Sequence, residues 1–567
     1  MGGFNDKLNG AKILIKCLKE LNVDTIFGYP GGAVLPIYDA LYCEKDINHI
    51  LTAHEQGAAH AADGYARVTG KVGVVLVTSG PGATNTVTGI ANAYRDSIPM
   101  VVFTGQVPKR QMGKAAFQEV DILSITKSIT KKNFLVKSIE ALPTIVYKAF
   151  KIATEGRKGP VVVDIPKDIQ DTLVNDDFYY KNIYEVFTEI NCVENENLYK
   201  NIKKASLLIN KCRKPIIYSG GGIVSSNANK ELMEFSEKIK SPVICTLMGL
   251  GSFPGDHKYF MGLGGMHGNV YSNYAITESD LLIAIGMRFS DRVTSKIEGF
   301  APNAKIIHID IDEKELGKNV NVDVPINGDI KEILNLLIKC VEVKEEGKWN
   351  YKIESLKRKY SLNFDKKDEL SGEYIIEKLN EITEGNCTIC TEVGQNQIWA
   401  AQYYKYLKPR TFVSSGGLGT MGFGLGAAIG AYFGNPKRRV INIAGDGSFK
   451  MNCAELDTIA RYNIPIIQIV LNNRCLGMVR QWQEMFYDKR FSHSIFHKEV
   501  DFTKLGMAYE IKSYKVNEKE KFEDVLKKAL KLNEPVIIEC LIDTNENVFP
   551  IVPPGETIDN MLTEKIN

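Results

Sequence analysis

Two distant stretches of the chain follow one plan, and that repetition constrains the fold more than any other feature. From Val72, the apolar run in VGVVLVTSGPGATN meets a loop of small residues, passes through a helical pattern and re-emerges as RDSIPMVVFTG. From Arg439, the run in RVINIAGDGSFKMN meets a glycine-rich loop, passes through a helical pattern and re-emerges as RYNIPIIQIVLNN. Both read as strand, tight loop, helix, Ile-Pro turn and strand. Apolar strands joined by helices build a parallel sheet covered on both faces. The two loops differ in chemistry: SGPGATN is neutral, whereas GDGSF carries an acid.

The same alternation runs through most of the chain. An amphipathic helix around Ala11, Leu14, Leu18 and Leu21 precedes β-rich runs at Asp24–Phe27, Val72–Thr78, Met100–Thr104 and Val161–Ile165. Further strands are expected at Pro215–Ser219, Pro242–Thr246, Asp280–Ile285 and Lys305–Ile309. The expected class is α/β, with three doubly wound parallel-sheet domains at residues 1–180, 190–343 and 371–548. The polar-aromatic stretch from Asp176 reads as a first linker, the charged stretch at 344–370 as a second, and a proline-rich tail closes the chain at 549–567.

Composition narrows the partners. Seventy Lys and Arg against 68 Asp and Glu leave a formal charge of +2 over 567 residues, which gives no electrostatic footprint for nucleic acid or an anionic membrane. No apolar run of about 18 residues suggests a membrane span. The N-terminus lacks a secretory pattern, and Asp6 stands where a myristoylation motif built on Gly2 wants Ser or Thr. Eleven scattered cysteines fit a reducing compartment, so a cytoplasmic location and a small substrate are expected. The pair Cys387 and Cys390 lies in a strand-like setting with no second CxxC and reads as packing.

The acid loop comes first in the chemistry. A Gly-Asp-Gly turn at the end of a buried strand presents one carboxylate, and adjacent parallel strands end side by side, so Asp446 and Asn473 can meet at one edge. One carboxylate and one amide oxygen form an incomplete hard-oxygen shell of the kind that holds Mg²⁺ beside a phosphate. GDG followed by an apolar strand and NN resembles the cofactor motif of the thiamine diphosphate enzymes. That resemblance implies Mg²⁺ ligation by Asp446, Asn473 and the backbone carbonyl of Cys475, with the diphosphate on the amides of Gly447 and Ser448.

AHEQGAAHAADGYARVTG supplies the partner motif. Glu55 reads by itself as an acid favoured by a helix dipole, but the segment resembles the HEQGA element of the same family. There this Glu shares a proton with the aminopyrimidine ring, which activates the thiazolium carbon for attack on a 2-keto acid. In the family Glu55 and Asp446 complete one site across two subunits. His54 and His267 are the candidate functional histidines.

The middle block adds YSGGGI, a weak nucleotide-type turn, and IAIGMRFSDRVTSK followed by IIHIDID. Arg288 and Arg292 flank Asp291 just past a strand, where arginines can pair with a diphosphate, and Asp310 ends a strand where a ribose contact is common. RFSDR resembles the RFDDR element of the flavin-containing acetohydroxyacid synthases, with Ser290 in place of the first Asp. FGYPGGAVLPIYDAL, GQVPKRQMGKAAFQE, VDIPKDIQ, EVGQNQIWAAQ, GGLGTMGFGLGAAIGA and LGMVRQWQEMFY extend that resemblance along the chain.

It implies thiamine diphosphate, Mg²⁺ and FAD. Thiamine diphosphate contacts are implied for Gly32, Gln395, Asn396, Gly419, Met421 and Met478, with Asn396 departing from the family's frequent His. FAD contacts are implied for Arg157, Gly221, Thr246, Leu247, His267, Gly286, Arg288, Asp291, Arg292, Asp310, Ile311 and Asp329. Gln118 and Lys167 fall at the substrate channel, and Val479 and Trp482 at the acceptor pocket. The implied reaction decarboxylates pyruvate and joins the product to a second pyruvate or to 2-ketobutyrate, in a homodimer or homotetramer with a small regulatory subunit. A pyruvate oxidase-type flavoenzyme is the alternative. A plain dinucleotide dehydrogenase gives no role to Glu55 together with GDG and NN.

Overall fold

The computed structural model describes residues 8–175, 196–360 and 369–563. The stretch from Asp176 to 195, read above as a linker, and the Gly2–Asp6 segment lie outside them. The first six-stranded sheet comprises Thr25–Tyr29, Asn48–Leu51, Gly73–Val77, Met100–Gln106, Lys132–Leu135 and Pro160–Pro166, and every pairing is parallel. The third comprises Thr388–Thr391, Phe412–Val413, Val440–Gly445, Ile467–Asn472, Lys512–Val516 and Val536–Leu541, again all parallel.

In both sheets the spatial order is second, first, third, fourth, sixth, fifth. The two strands of each repeated stretch are the third and fourth of their sheets, so the sequence echo reflects one topology used twice. Gly73–Val77, Met100–Gln106 and Pro160–Pro166 are buried along their whole length, as apolar runs with helices on both faces must be.

The middle sheet comprises Pro215–Ser219, Val243–Cys245, Phe260–Leu263, Leu281–Ile285, Lys305–Asp310 and Val324–Asn327. Its order is third, second, first, fourth, fifth, sixth, which opens a crevice at the strand carboxyl ends between the first and fourth. The strands absent from the sequence reading are mostly short or half-exposed edge strands such as Lys132–Leu135 and Phe412–Val413, which carry no continuous apolar run.

The first and third domains meet through helices Glu55–Thr69 and Phe423–Gly434. Both are lined with small residues, Ala58, Ala61 and Ala62 on one and Ala427, Ala428 and Ala431 on the other, all fully or almost fully buried. The backbones approach so closely that a methyl group at Gly64 would run into the Ala427 carbonyl, and one at Gly430 into the Ala61 carbonyl. Alanine-sized packing leaves no room for repair by side-chain rotation.

Within 344–370, Lys348–Lys359 is a helix docked on the middle domain. Trp349 and Ile353 are buried in its core, and Trp349 Nε1 donates to the Pro215 carbonyl at 3.1 Å. The segment reads as a linker, helical or loose, in sequence because its charges outnumber the two residues that anchor it. The tail also docks: Val552 N donates to the Met266 carbonyl at 2.9 Å, and Asn273 Nδ2 to the Ile558 carbonyl at 2.9 Å. Cys387 and Cys390 are both buried around strand Thr388–Thr391, and burial pushes the Cys387 thiol up to about 11. Among the described residues no helix is long and apolar enough to cross a membrane.

Candidate functional site

Strand Val440–Gly445 hands over directly to a short helix, Asp446–Phe449, and Gly445 pairs with Leu471 near the end of strand Ile467–Asn472. This brings the Asp446 turn and Asn473 to one sheet edge. Asp446 is 3% exposed, its Oδ1 has no hydrogen-bond partner, and burial pushes its carboxyl up to about 7. A buried carboxylate oxygen without a donor calls for a ligand.

Asn473 Nδ2 donates to Gln395 Oε1 at 3.1 Å, and Asn473 Oδ1 accepts from Cys475 N at 3.3 Å. Gln395 is itself tied down, donating to Gln481 Oε1 at 3.1 Å and to the Glu546 carbonyl at 2.8 Å. The Asn473 amide is therefore held in one orientation. Among the described residues no group of three or more His, Cys, Asp and Glu gathers for a metal. One carboxylate supplemented by neutral oxygens suits a hard cation that takes its remaining ligands from phosphate, so the residues fit Mg²⁺ with a diphosphate.

Gly447 and Ser448 follow Asp446, both buried, and Cys475 is buried in an antiparallel bridge with Ile495, next to which Leu476 N donates to the Ser494 carbonyl at 2.7 Å. Asn396 Nδ2 is committed to the backbone, donating to the Glu392 and Ile443 carbonyls at 3.0 and 2.8 Å.

The first sheet gathers the other set at its own carboxyl edge. Glu55 opens helix Glu55–Thr69, whose N-cap is His54, with Nδ1 accepting from Gln56 N at 3.1 Å. Glu55 is half-buried, and its Oε2 accepts from Asn85 Nδ2 at 2.9 Å. Asn85 closes the SGPGATN loop, and glycine at 82 lets that loop fold tightly, since a Cβ there would sit 2.7 Å from Thr78 Cγ2.

Gln118, with φ +59, packs under Gly80; Lys167 follows strand Pro160–Pro166; Gly32 is exposed on the loop after Thr25–Tyr29. Among the described residues no hydrogen bond or ion pair joins the Glu55 group to Asp446. Sequence reasoning assigned no role to Asn85, nor to Glu455, which accepts from Ala53 N and His54 N at 3.2 and 3.1 Å and so seats the start of the Glu55 helix on the third domain.

A cavity of about 1080 Å³ lies where the three domains meet. Arg157, Gly221, Thr246, Leu247, His267 and Gly286 line it, and so do Arg288, Asp291, Arg292, Asp310, Ile311 and Asp329. Gly419, Met478, Val479 and Trp482 contribute another wall, whereas Gln395, Asn396 and Met421 are not on it. Gly221, Gly222 and Gly286 form a cradle: a Cβ at Gly286, where φ is +59, would lie 2.7 Å from Gly222 Cα. Such a cradle admits a phosphate-bearing ligand against the backbone, and the volume suits one of cofactor size, so the residues fit FAD.

Burial lowers the Arg288 pKa and pushes Asp310 up to about 6 and His267 down to about 4. The Arg292 guanidinium lies 5.8 Å from the Trp482 ring centroid. Several residues of the set already have protein partners, Arg157 and Asp329 among them. Arg157 pairs with Asp312 and Glu315 at 3.3 Å each, and the Asp329 carboxylate caps helix Ile330–Cys340 by accepting from Lys331 N at 2.9 Å.

Comparison with known proteins agrees with this geometry. The family described as "Thiamine pyrophosphate enzyme, N-terminal TPP binding domain" matches residues 8–125, its central domain residues 202–337 and its C-terminal TPP binding domain residues 392–540. The probable acetolactate synthase large subunit of Methanocaldococcus jannaschii is 47% identical over 98% of this chain and 95% of its own length. The acetolactate synthase large subunit of Buchnera aphidicola subsp. Schizaphis graminum is 46% identical over 98% and 99%. The acetolactate synthase isozyme 2 large subunit of Escherichia coli K12 is 43% identical over 99% and 100%.

Proposed function

The chain belongs to the acetolactate synthase large-subunit family of thiamine pyrophosphate enzymes, and on that premise we propose that it joins two 2-keto acids. Pyruvate loses carbon dioxide, and the remaining two-carbon unit is transferred to a second pyruvate, giving 2-acetolactate, or to 2-ketobutyrate, giving 2-aceto-2-hydroxybutyrate. This is the step shared by valine, leucine and isoleucine biosynthesis. The observation that carries the reading is the pair of sheets with one topology and opposite loops: one presents Glu55 beside a neutral turn, the other a buried Asp446 with an orphaned oxygen.

Bound thiamine diphosphate supplies a nucleophilic thiazolium carbon and an electron sink. Glu55, oriented by Asn85, would be the acid that exchanges a proton with its aminopyrimidine ring. Asp446, Asn473 and the Cys475 carbonyl would hold Mg²⁺, the Gly447 and Ser448 amides would bind the diphosphate, and Gly32, Gln395, Asn396, Gly419, Met421 and Met478 would hold the rest of the cofactor. Gln118 and Lys167 steer the substrate carboxylate, while Val479 and Trp482 bound the acceptor. The central cavity holds FAD.

The proposal extends to a cytoplasmic homo-oligomer whose sites form between subunits, and to a small regulatory subunit, since the relatives are named large subunits. The domain limits given above are part of it. The test is product analysis on the purified chain, with pyruvate alone or with 2-ketobutyrate, omitting thiamine diphosphate, Mg²⁺ and FAD in turn. Acetohydroxy acids that vanish without thiamine diphosphate and Mg²⁺ support the reading. Acetate or acetyl phosphate as the main product refutes it.

A further inference from the structure

The turn that ends helix Val87–Asp96 belongs to neither catalytic set, yet it holds the third domain directly and reaches the middle one through Arg157. The Asp96 side chain is 0% exposed. Its Oδ2 accepts from Arg67 NH2 at 2.9 Å and from Gly416 N at 3.1 Å, and its Oδ1 accepts from Gly417 N at 2.7 Å. The next residue, Ser97, accepts through Oγ from Arg157 Nε at 2.9 Å, and Arg157 reaches Asp312 and Glu315 of the middle domain. A carboxylate of the first domain therefore holds two successive backbone amides of the third, and the adjoining serine is linked to the second.

The segment held is Ser415–Gly422. Asn92, also from the first domain, accepts through Oδ1 from Ser415 Oγ at 2.5 Å and from Thr420 Oγ1 at 3.0 Å. At the far end Glu392 accepts from Gly422 N at 2.7 Å and from Gly424 N at 2.9 Å. The loop is an arch with a buried carboxylate at each foot. Ser415 to Gly419 line the central cavity, while Gly419 and Met421 are assigned to thiamine diphosphate. One wall of the flavin cavity is thus continuous, within four residues, with the packing around the other cofactor.

We propose that Asp96 is a positioning residue through which occupancy of the central cavity sets the seating of the Ser415–Gly422 arch, so that flavin and thiamine diphosphate bind with positive coupling. This rests on the cofactor assignment under Proposed function. A ligand filling the cavity presses on an arch that cannot slide at Gly416 and Gly417 while both amides are held, and the displacement passes along the chain to Gly419 and Met421. Coupling of this kind is reciprocal: flavin tightens thiamine diphosphate by the factor by which thiamine diphosphate tightens flavin.

The experiment titrates thiamine diphosphate, at fixed Mg²⁺, into flavin-free and FAD-loaded protein, for wild type, Asp96→Asn and Asp96→Ala, with a melting curve on each. In wild type FAD should lower the Kd by about tenfold, within the ordinary range of allosteric coupling. In Asp96→Ala that ratio should fall to near one, and Asp96→Asn, which keeps one acceptor oxygen, should retain part of it. A purely structural Asp96 lowers the melting temperature and weakens both cofactors but leaves the ratio unchanged, which overturns the proposal, as does a wild-type ratio of one.

If Asp96→Ala does not fold, Gly417→Ala leaves the Asp96 and Arg67 side chains in place and unseats the arch, because its methyl would lie 2.7 Å from Asp96 Oδ1; it also comes within 3.2 Å of Arg288 Nη2 on the cavity wall, so FAD affinity is titrated separately and only the ratio is read. It should show the same lost ratio, and a wild-type ratio there overturns the proposal. Wild-type protein that binds neither cofactor contradicts the cofactor assignment itself, a result distinct from these.

Discussion

Glu55 keeps one carboxylate oxygen on Asn85 Nδ2 at 2.9 Å, whereas Asp446 has an oxygen with no donor at all. The first is an oriented acid, and the second is a buried acceptor of the kind the proposed Mg²⁺ would take as a ligand. Glu55→Gln should preserve the fold and slow proton exchange at the thiazolium carbon of bound thiamine diphosphate by about a hundred- to ten-thousand-fold; exchange at the wild-type rate contradicts the assignment. Trp482 offers a second test. It packs edge-on to Phe486 on the cavity wall, and one methylene of substrate against such a surface is worth about 1–3 kcal/mol. Trp482→Leu should lower the preference for 2-ketobutyrate over pyruvate without abolishing either product, read as the product ratio under competition. An unchanged ratio with a lowered melting temperature makes Trp482 a core residue.

The meeting of Asp446 and Asn473 at one sheet edge was legible in sequence because each follows an apolar strand in a distinctive doublet or triplet. Asn85, Glu392 and Asp96 were not, because their roles exist only in contacts across the chain: Asp96 meets Gly417 at a separation of 321 residues. No local pattern marks such a carboxylate. The residues proposed to hold FAD were nameable by resemblance, but not the cavity that unites them, nor the engagement of Arg157 with Asp312 and Glu315.

At the scale of elements, helices Glu55–Thr69 and Phe423–Gly434 carry the contact between the first and third domains, and glycine sets their spacing. Gly430→Ala should raise local helix propensity by about 1 kcal/mol yet destabilise the protein overall, since its methyl meets a backbone carbonyl that cannot rotate away. A denaturant midpoint at or above wild type contradicts this packing.

Glu392 caps the second of these helices from a fully buried position, and burial pushes its carboxyl up to about 8, the amides of Gly422 and Leu425 pulling against that shift. A folded-state pKa above the ordinary value of about 4.5 means that the folded chain keeps a proton the unfolded chain has lost. Stability from this group is therefore greatest below about pH 4.5 and declines as pH rises to about 8. Asp164, pushed by burial up to about 7, contributes with the same sign, so the comparison must be with Glu392→Gln, which retains an acceptor and cannot titrate. Between pH 5 and 8 the variant's melting temperature should fall less than that of wild type. Parallel curves contradict the buried acid.

For the whole molecule, the repeated topology accounts for the two unlike sets of residues that the proposed function treats as half-sites. The same strand order presents Glu55 from the first sheet and Asp446 from the third, and no hydrogen bond or ion pair among the described residues connects them within the chain. Two copies related by a two-fold axis can each lend what the other lacks. The most direct measurement is complementation: Glu55→Gln and Asp446→Ala chains, each nearly inactive alone, are unfolded, mixed in equal amounts, refolded together and assayed for acetohydroxy acid formation. Half of randomly formed dimers would pair the two variants, and each such dimer holds one site with both wild-type carboxylates. The account predicts recovery of roughly a quarter of wild-type activity. A mixture no more active than its two components would place both carboxylates of a working site on one chain and contradict it.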